Sequence, residues 1–429
     1  MIGELRELAG AFPDKRTGRN TRFAMEDVVL AAFSVFWTQS PSFLAHQTAM
    51  QQARGQSNAK TLFAMTEIPS DNHIRNLIDY APPEAVFPMF NRIEARLEAK
   101  GYLEPFRVLV DQLLIALDGT QYHSSETIHC EQCSVRQHRN GKVGYSHTVV
   151  TPVIVAPGHN HVLPLQPEFI TPQDGHDKQD CEHAAAKRWM SRCAQHYRGR
   201  KVTLLGDDLY SRQPLCEAAL EAGFSFLFVC KPTSHKTLYE WLDGLRRTGD
   251  VEQIQVTRRK GRRQEIDTYE FANHLPLRDG EAALEVNYCQ LITTEASGKE
   301  RYRNAFVTNH AITPDNVAEL VAAGRARWKV ENENNNTLKT QGYHLAHNFG
   351  HGKHHLATTL ASLNLLAFLI HTVLDLDNAK YRAIRDALSS REMFFQHVQA
   401  LTCYLCFESF EALLEFMMQA LELSYFDTS

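Results

Sequence analysis

What this 429-residue chain lacks narrows it first. It has no strong charge of either sign. The net formal charge is −5, so no global positive field draws in nucleic acid, and such a partner must be met by local basic patches. Hydrophobic residues make up 43% and charged residues 22%, which excludes a disordered chain. The opening MIGELRELAG has no basic stretch leading into an apolar core, so no secretory signal is expected there. The most apolar run, residues 356–374, contains Thr358, Thr359, Ser362, Asn364, His371 and Thr372. It reads as a buried helix and not a membrane span. No internal repeat or low-complexity tract is visible. The nine cysteines are an odd number without an export signal, which points to reduced thiols in a cytoplasm.

What is present divides the chain into five stretches. Residues 1–105 put apolar side chains at helical spacing, as in MEDVVLAAFSVFWTQ and PEAVFPMFNRIEARLEAKG, with Ser70 or Asp71 capping a short helix between them. Residues 106–234 alternate strands and helices. FRVLVDQLLIALDGT, GYSHTVVTPVIVAP and HVLPLQPEFI are extended, KQDCEHAAAKRWMSRCAQHY is an amphipathic helix, and KVTLLGDDLY is a strand. SRQPLCEAALEAG is then a helix capped by Ser211, and FSFLFVCK a strand. This order implies an α/β fold, a mixed sheet flanked by helices. Residues 235–308 read as a β-rich insertion. Residues 309–375 open with Thr313-Pro314 as N-cap and first turn of one long helix. Residues 376–429 are helical.

Three acidic sites stand out. Asp118 ends an apolar strand, Asp207 and Asp208 end another, and Glu331 sits in the long helix four residues after Arg327. A carboxylate at the end of a buried strand lies at the rim of the sheet, where α/β folds bind ligands. Asp-Gly after a strand also makes an ordinary turn, and a helical Glu an ordinary solvated face. Several carboxylates at one rim repel one another, and divalent cations with a taste for hard oxygen relieve that repulsion.

LDGT at 117–120, GDDLYSRQPLCEAALEAGFSFLFVCK at 206–231 and RARWKVENENNNTLK at 325–339 resemble the three catalytic motifs of DDE transposases, in the IS4-like group of bacterial insertion sequences. The resemblance spans about residues 105–375 and implies an RNase H-like catalytic core, in two parts either side of the insertion. It implies Asp118, Asp207 (through Asp-x-x-Tyr, with Tyr210) and Glu331 as the catalytic carboxylates. These would hold two Mg²⁺ or Mn²⁺ ions for cleavage at transposon ends and strand transfer into target DNA. Double-stranded DNA is the implied partner, met by a homodimer or higher assembly in a bacterial cytoplasm, at the nucleoid, with no membrane. The group's pattern has Tyr where this chain has Gly324 and Lys where it has Asn335; Lys339 is the replacement phosphate contact, and Arg327 contacts phosphate or orients Glu331. Glu333 rivals Glu331 but points about 200° round a regular helix. The alternatives are an RNase H-like nuclease without strand transfer and a non-catalytic DNA-binding protein.

Cys130 and Cys133 form half a zinc site, with Cys181, His123 and His138 as candidates to complete it; reduced thiols in a turn are the other reading. Cys403 and Cys406 repeat the spacing in an apolar helix and read as core. His344, His347, His351, His354 and His355 lie in a glycine-containing loop without a carboxylate, and read as packing or DNA contacts rather than a metal cluster. Arg258, Arg259, Lys260, Arg262 and Arg263 form the strongest basic patch, at a hairpin tip.

Overall fold

The computed structural model describes residues 1–18, 21–50, 53–172, 180–260 and 263–424. The first stretch is helical, with α1 (Ile2–Ala9), α2 (Met25–Trp37), α3 (Phe43–Met50), α4 (Ala53–Phe63), α5 (Asp71–Ile78) and α6 (Phe87–Ala99). Almost every side chain of α2 is buried, because its apolar residues run all round the helix.

Strands follow: β1 (Arg107–Val108), β2 (Gln112–Ala116), β3 (Gly119–Ser125), β4 (Ser134–Gln137), β5 (Val143–Val150), β6 (Val153–Val155), β7 (Leu163–Pro164) and β8 (Glu168–Ile170). Then come α7 (Glu182–Cys193), β9 (Val202–Gly206), α8 (Gln213–Glu221), β10 (Ser225–Val229) and α9 (Lys236–Thr248). The insertion expected to be β-rich from residue 235 opens instead with α9, and from residue 252 is a meander of long strands, β11 (Glu252–Lys260), β12 (Arg263–Pro276), β13 (Glu285–Glu295) and β14 (Glu300–Thr308).

The fold is mixed α/β. Its main sheet runs β11-β12-β13-β14-β10-β9-β2-β6-β7. At its centre β2, β9 and β10 are parallel; beyond β2, β6 runs antiparallel and β7 pairs antiparallel with β6, restoring the direction of β2, and β14 joins β10 antiparallel. The parallel strands are buried on both faces, which is why LLIA, VTLLG and FLFV are continuous apolar runs. A second sheet, ordered β3-β5-β4 with β8 on β5, stands beside the first. Thr151-Pro152 divides the single long run seen in the sequence between β5 and β6, and so between the two sheets.

The long helix expected from residue 313 starts later and is broken. Asn316 is the N-cap, its side chain accepting from the Thr313 N–H at 2.8 Å. Helix α10 (Val317–Arg325) ends in a turn, and Val330–Asn336 forms a π-helical stretch before the short α11 (Thr337–Thr340). Such stretches often mark functional positions. Helix α12 (Leu356–Asp377) is long and apolar enough to cross a membrane, but 94% of its most apolar window is buried inside the fold. It packs on α2, α6 and β7. The chain ends in α13 (Ala379–Ala387), α14 (Arg391–Tyr404) and α15 (Phe410–Ala420), which close on the first helices. Asn58 of α4 donates to the carbonyls of Thr402 and Leu405 at 2.8 and 2.6 Å. The two ends of the chain thus share one core.

Candidate active site

The parallel register builds the acidic rim. Ala116 of β2 lies opposite Leu205 of β9, and the Leu117 N–H continues the ladder to the Leu205 carbonyl at 2.9 Å. Carried two residues further, this offset sets Asp118 opposite Asp207 at the same end of two neighbouring strands, whose backbones run about 4.8 Å apart. Asp207 turns the chain by accepting from the Leu209 N–H at 2.8 Å. Its neighbour Asp208 is buried and otherwise engaged, accepting from the Lys231 N–H at 2.7 Å and from the Ser234 hydroxyl. The two aspartates thus divide: Asp207 faces the rim, and Asp208 ties down the chain after β10.

Glu331 lies half-exposed on the π-helical stretch. Its negative field acts on Asp118, as do those of Glu182 and Asp207. Burial first, and then this repulsion led by Glu182, push the Asp118 carboxyl up to about 7; Arg327 opposes the shift. Arg327 also pairs with Glu331 at 2.7 Å, as the four-residue spacing anticipates. Glu333 acts instead on Lys329, which separates it from its rival. Lys339 is half-buried and feels Asp118, so it too stands at the rim.

Glu182 was not among the residues singled out in the sequence. It opens α7, where an acidic residue is common for its favourable interaction with the helix dipole, and that ordinary preference conceals it. Its Oε1 accepts from the Tyr210 hydroxyl at 2.9 Å and from the Gly119 N–H at 3.1 Å. A Cβ at position 119 would stand 2.4 Å from Glu182 Oε2. The glycine of Asp118-Gly119 therefore admits this carboxylate, and β3 continues straight on from it.

The two departures from the IS4-like pattern have local causes. A Cβ at Gly324 would meet the Phe306 ring at 2.6 Å, which leaves no room for a tyrosine on this backbone. Asn335 donates to Asp118 Oδ2 at 3.1 Å, while its own oxygen accepts from Thr151 at 2.9 Å and from Asn334 at 2.9 Å. An uncharged amide thus holds Asp118 in place.

The thiols assemble differently from expectation. Cys130 and Cys133 meet His147 of β5 and His351, and one ligand atom from each of the four lies within 4.8 Å of the others. A metal such as zinc fits this donor set. Cys181 takes no part; it is exposed at the N-cap of α7. Nor does His138 belong, and His123 only packs its ring near those of His147 and His351. Of the five histidines in the 344–355 segment, His351 alone joins the group. Cys403 is half-buried and Cys406 is exposed past the end of α14, so this pair is not core. Ser211 is not the cap of α8 either. Arg212 holds that position, and the Ser211 hydroxyl is within 2.7 Å of His235.

Strands β11 and β12 pair antiparallel up to Lys260 opposite Arg263, and residues 261 and 262 lie outside the described residues. Arg258 is an ion-pair partner of the buried Asp267, and Arg259 is exposed. Arg262 and the side chains of Lys260 and Arg263 lie outside the described residues. No model of a known protein family matches this chain, and no curated protein matches it either.

Proposed function

We propose that the chain is a metal-dependent DNA transposase of the DDE type with an RNase H-like core. The carrying observation is topological. Taking the core strands in chain order, β2, β6, β7, β9 and β10, the sheet runs third, second, first, fourth, fifth, with the second antiparallel. Asp118 and Asp207 leave the first and fourth strands at one rim, and Glu331 comes to it after the β11–β14 insertion. This strand order and these positions support the reading.

The residues at the rim fit divalent cations. Four carboxylates, Asp118, Asp207, Glu331 and Glu182, are only partly opposed there by Arg327 and Lys339, which leaves a net negative charge for divalent ions to offset. Asp118, Asp207 and Glu331 would hold Mg²⁺ or Mn²⁺, whose contribution is to stabilise the charge on attacking and leaving oxygens of an in-line phosphoryl displacement. Asn335 fixes the rotamer of Asp118. Arg327 holds Glu331 until the carboxylate is needed and is then freed for a DNA phosphate. Lys339 adds a second phosphate contact, and Arg259, exposed on β11, another.

The test is to search the gene's flanks for terminal inverted repeats and to incubate the protein with Mn²⁺ and duplex oligonucleotides carrying any that are found; their absence also counts against the proposal. Nicking at the repeat end together with joined product supports the proposal. Nicking without joining supports a nuclease, and binding without nicking a non-catalytic DNA-binding protein; either overturns strand transfer.

A further inference from the structure

Cys130 Sγ and Cys133 Sγ are 4.0 Å apart. His147 Nε2 lies 3.4 Å from the first and 3.5 Å from the second, and His351 Nε2 lies 3.3 Å from Cys133 Sγ. A tetrahedral zinc with bonds of ~2.3 Å to sulfur and ~2.1 Å to nitrogen separates its ligand atoms by roughly 3.3–3.8 Å. Three of the six edges of such a tetrahedron thus have zinc-like lengths, the sulfur–sulfur edge is slightly long, and the other two lie within 4.8 Å; no direct sulfur–sulfur bond, which needs about 2.05 Å, is present.

We propose that Cys130, Cys133, His147 and His351 form a structural zinc site that clasps the segment following Glu331 onto the second sheet. This goes beyond the proposed strand-transfer activity and does not depend on it. Two thiolates and two neutral imidazoles exactly neutralise Zn²⁺ in charge, so the filled site costs little to bury. Cys133, His147 and His351 are all buried. All four corners are protein side chains, which leaves no open position and marks the site as structural rather than catalytic.

The backbone supports the same reading. Cys130–Cys133 is a tight turn, with the Cys133 N–H donating to the Cys130 carbonyl at 3.2 Å and the Cys130 N–H directed at Cys133 Sγ at 3.4 Å. His351 approaches from 218 residues along the chain. It sits in the segment 341–355, which leaves α11 just after Lys339, enters α12, and has no helix or strand of its own. Asp79, at the end of α5, accepts from the N–H groups of Lys353 at 3.0 Å, His354 at 3.0 Å and Leu356 at 3.1 Å. The Glu131 N–H donates to the Lys353 carbonyl at 3.3 Å. One ion at this point would join the β3–β4 turn, β5, the first helices and the chain leading away from the acidic rim.

The test begins with elemental analysis of the full-length protein, as isolated and after reconstitution with zinc, followed by cobalt substitution. About one zinc per chain is expected, and the cobalt form should show thiolate-to-metal charge transfer with a tetrahedral d–d spectrum. His351→Asn and Cys133→Ser should lose that spectrum, while Cys181→Ser keeps it. Chelation of the wild type should speed hydrogen exchange in residues 129–137 and 343–355 before it affects β11–β14. Absence of stoichiometric metal after reconstitution would overturn the site, as would a Cys130–Cys133 disulfide in protein isolated without oxygen. Loss of cobalt from Cys181→Ser but not from His351→Asn would do the same. Metal bound with unchanged exchange at 343–355 would overturn the clasp.

Discussion

At the acidic rim Asp118 faces Glu182, Glu331 and Asp207 with Arg327 and Lys339 in opposition; in the Cys/His cluster two sulfurs and two nitrogens already stand at ligand spacing. Among the described residues only the second group brings three or more metal-ligating atoms within 4.8 Å of one another. The difference follows from charge. In the cluster the Cys130, His147 and His351 hydrogen bonds favour the thiolate of Cys133 while the same contact and burial keep Cys130 protonated, so a single charge is shared and hydrogen bonds draw the groups together. Carboxylates repel, so they stay apart, take up a proton or borrow a cation such as Arg327 until a divalent ion arrives. A site assembled in advance suits a permanent structural ion, and a site held open by its own charge suits ions that come and go with substrate.

The sharpest way to break this comparison is to neutralise the rim. Asp118→Asn, Asp207→Asn or Glu331→Gln should each lower DNA cleavage by about 10³-fold or more while circular dichroism and DNA retention stay near wild type. Normal turnover by any one removes that residue from the site. The Cys/His cluster should respond in the opposite sense. Cys133→Ser should lower stability by about 3 kcal/mol or more, because the binding energy of a structural ion is folding energy, and thermal unfolding with and without chelator measures it.

A smaller effect is expected at Glu182. Glu182→Gln keeps an acceptor for Tyr210 and Gly119 but removes the largest single charge acting on Asp118. Divalent-ion affinity should fall about tenfold, and the Asp118 carboxyl should titrate lower, which its carbon-13 NMR shift reports.

A separate effect is the pH dependence of the metal-free protein. The Asp118 carboxyl is raised to about 7 from an ordinary value of 3.8. Between those values the folded chain holds a proton that the unfolded chain releases, so stability is fully present below about pH 4 and falls as pH rises through 7. With the site in contact with water, the loss is about 2 kcal/mol. Denaturant unfolding at pH 4.5 and 8 should show this contribution in wild type and not in Asp118→Asn. Saturating Mg²⁺ should restore the stability at pH 8.

The two regions also differ in how far the sequence reveals them. Asp118 and Asp207 are legible because a buried parallel strand is a continuous apolar run, and its end is visible as the first polar residue. Glu331 is legible through its spacing from Arg327. Glu182 is not, since an acid in a first helical turn has an ordinary reason to be there. His147 is hidden in the polar–apolar alternation of β5, and His351 among four neighbouring histidines. Both join the cysteines only through chain crossings that no local pattern encodes. The main sheet was readable from strand composition and order. The separation of the second sheet at Thr151-Pro152 was not, because both halves share one β-branched run. The late start of α10 turns on Asn316 accepting from Thr313, where Thr313-Pro314 offers an equally good local signal.

The central claim is that the rim carboxylates form a divalent-ion site distinct from the Cys/His cluster. Calorimetric titration of zinc-reconstituted protein with Mn²⁺ at pH 8 tests it most directly. The account predicts saturable binding of about two ions per chain that Asp118→Asn abolishes and Cys181→Ser leaves intact. Mn²⁺ binding by Asp118→Asn indistinguishable from wild type would contradict it.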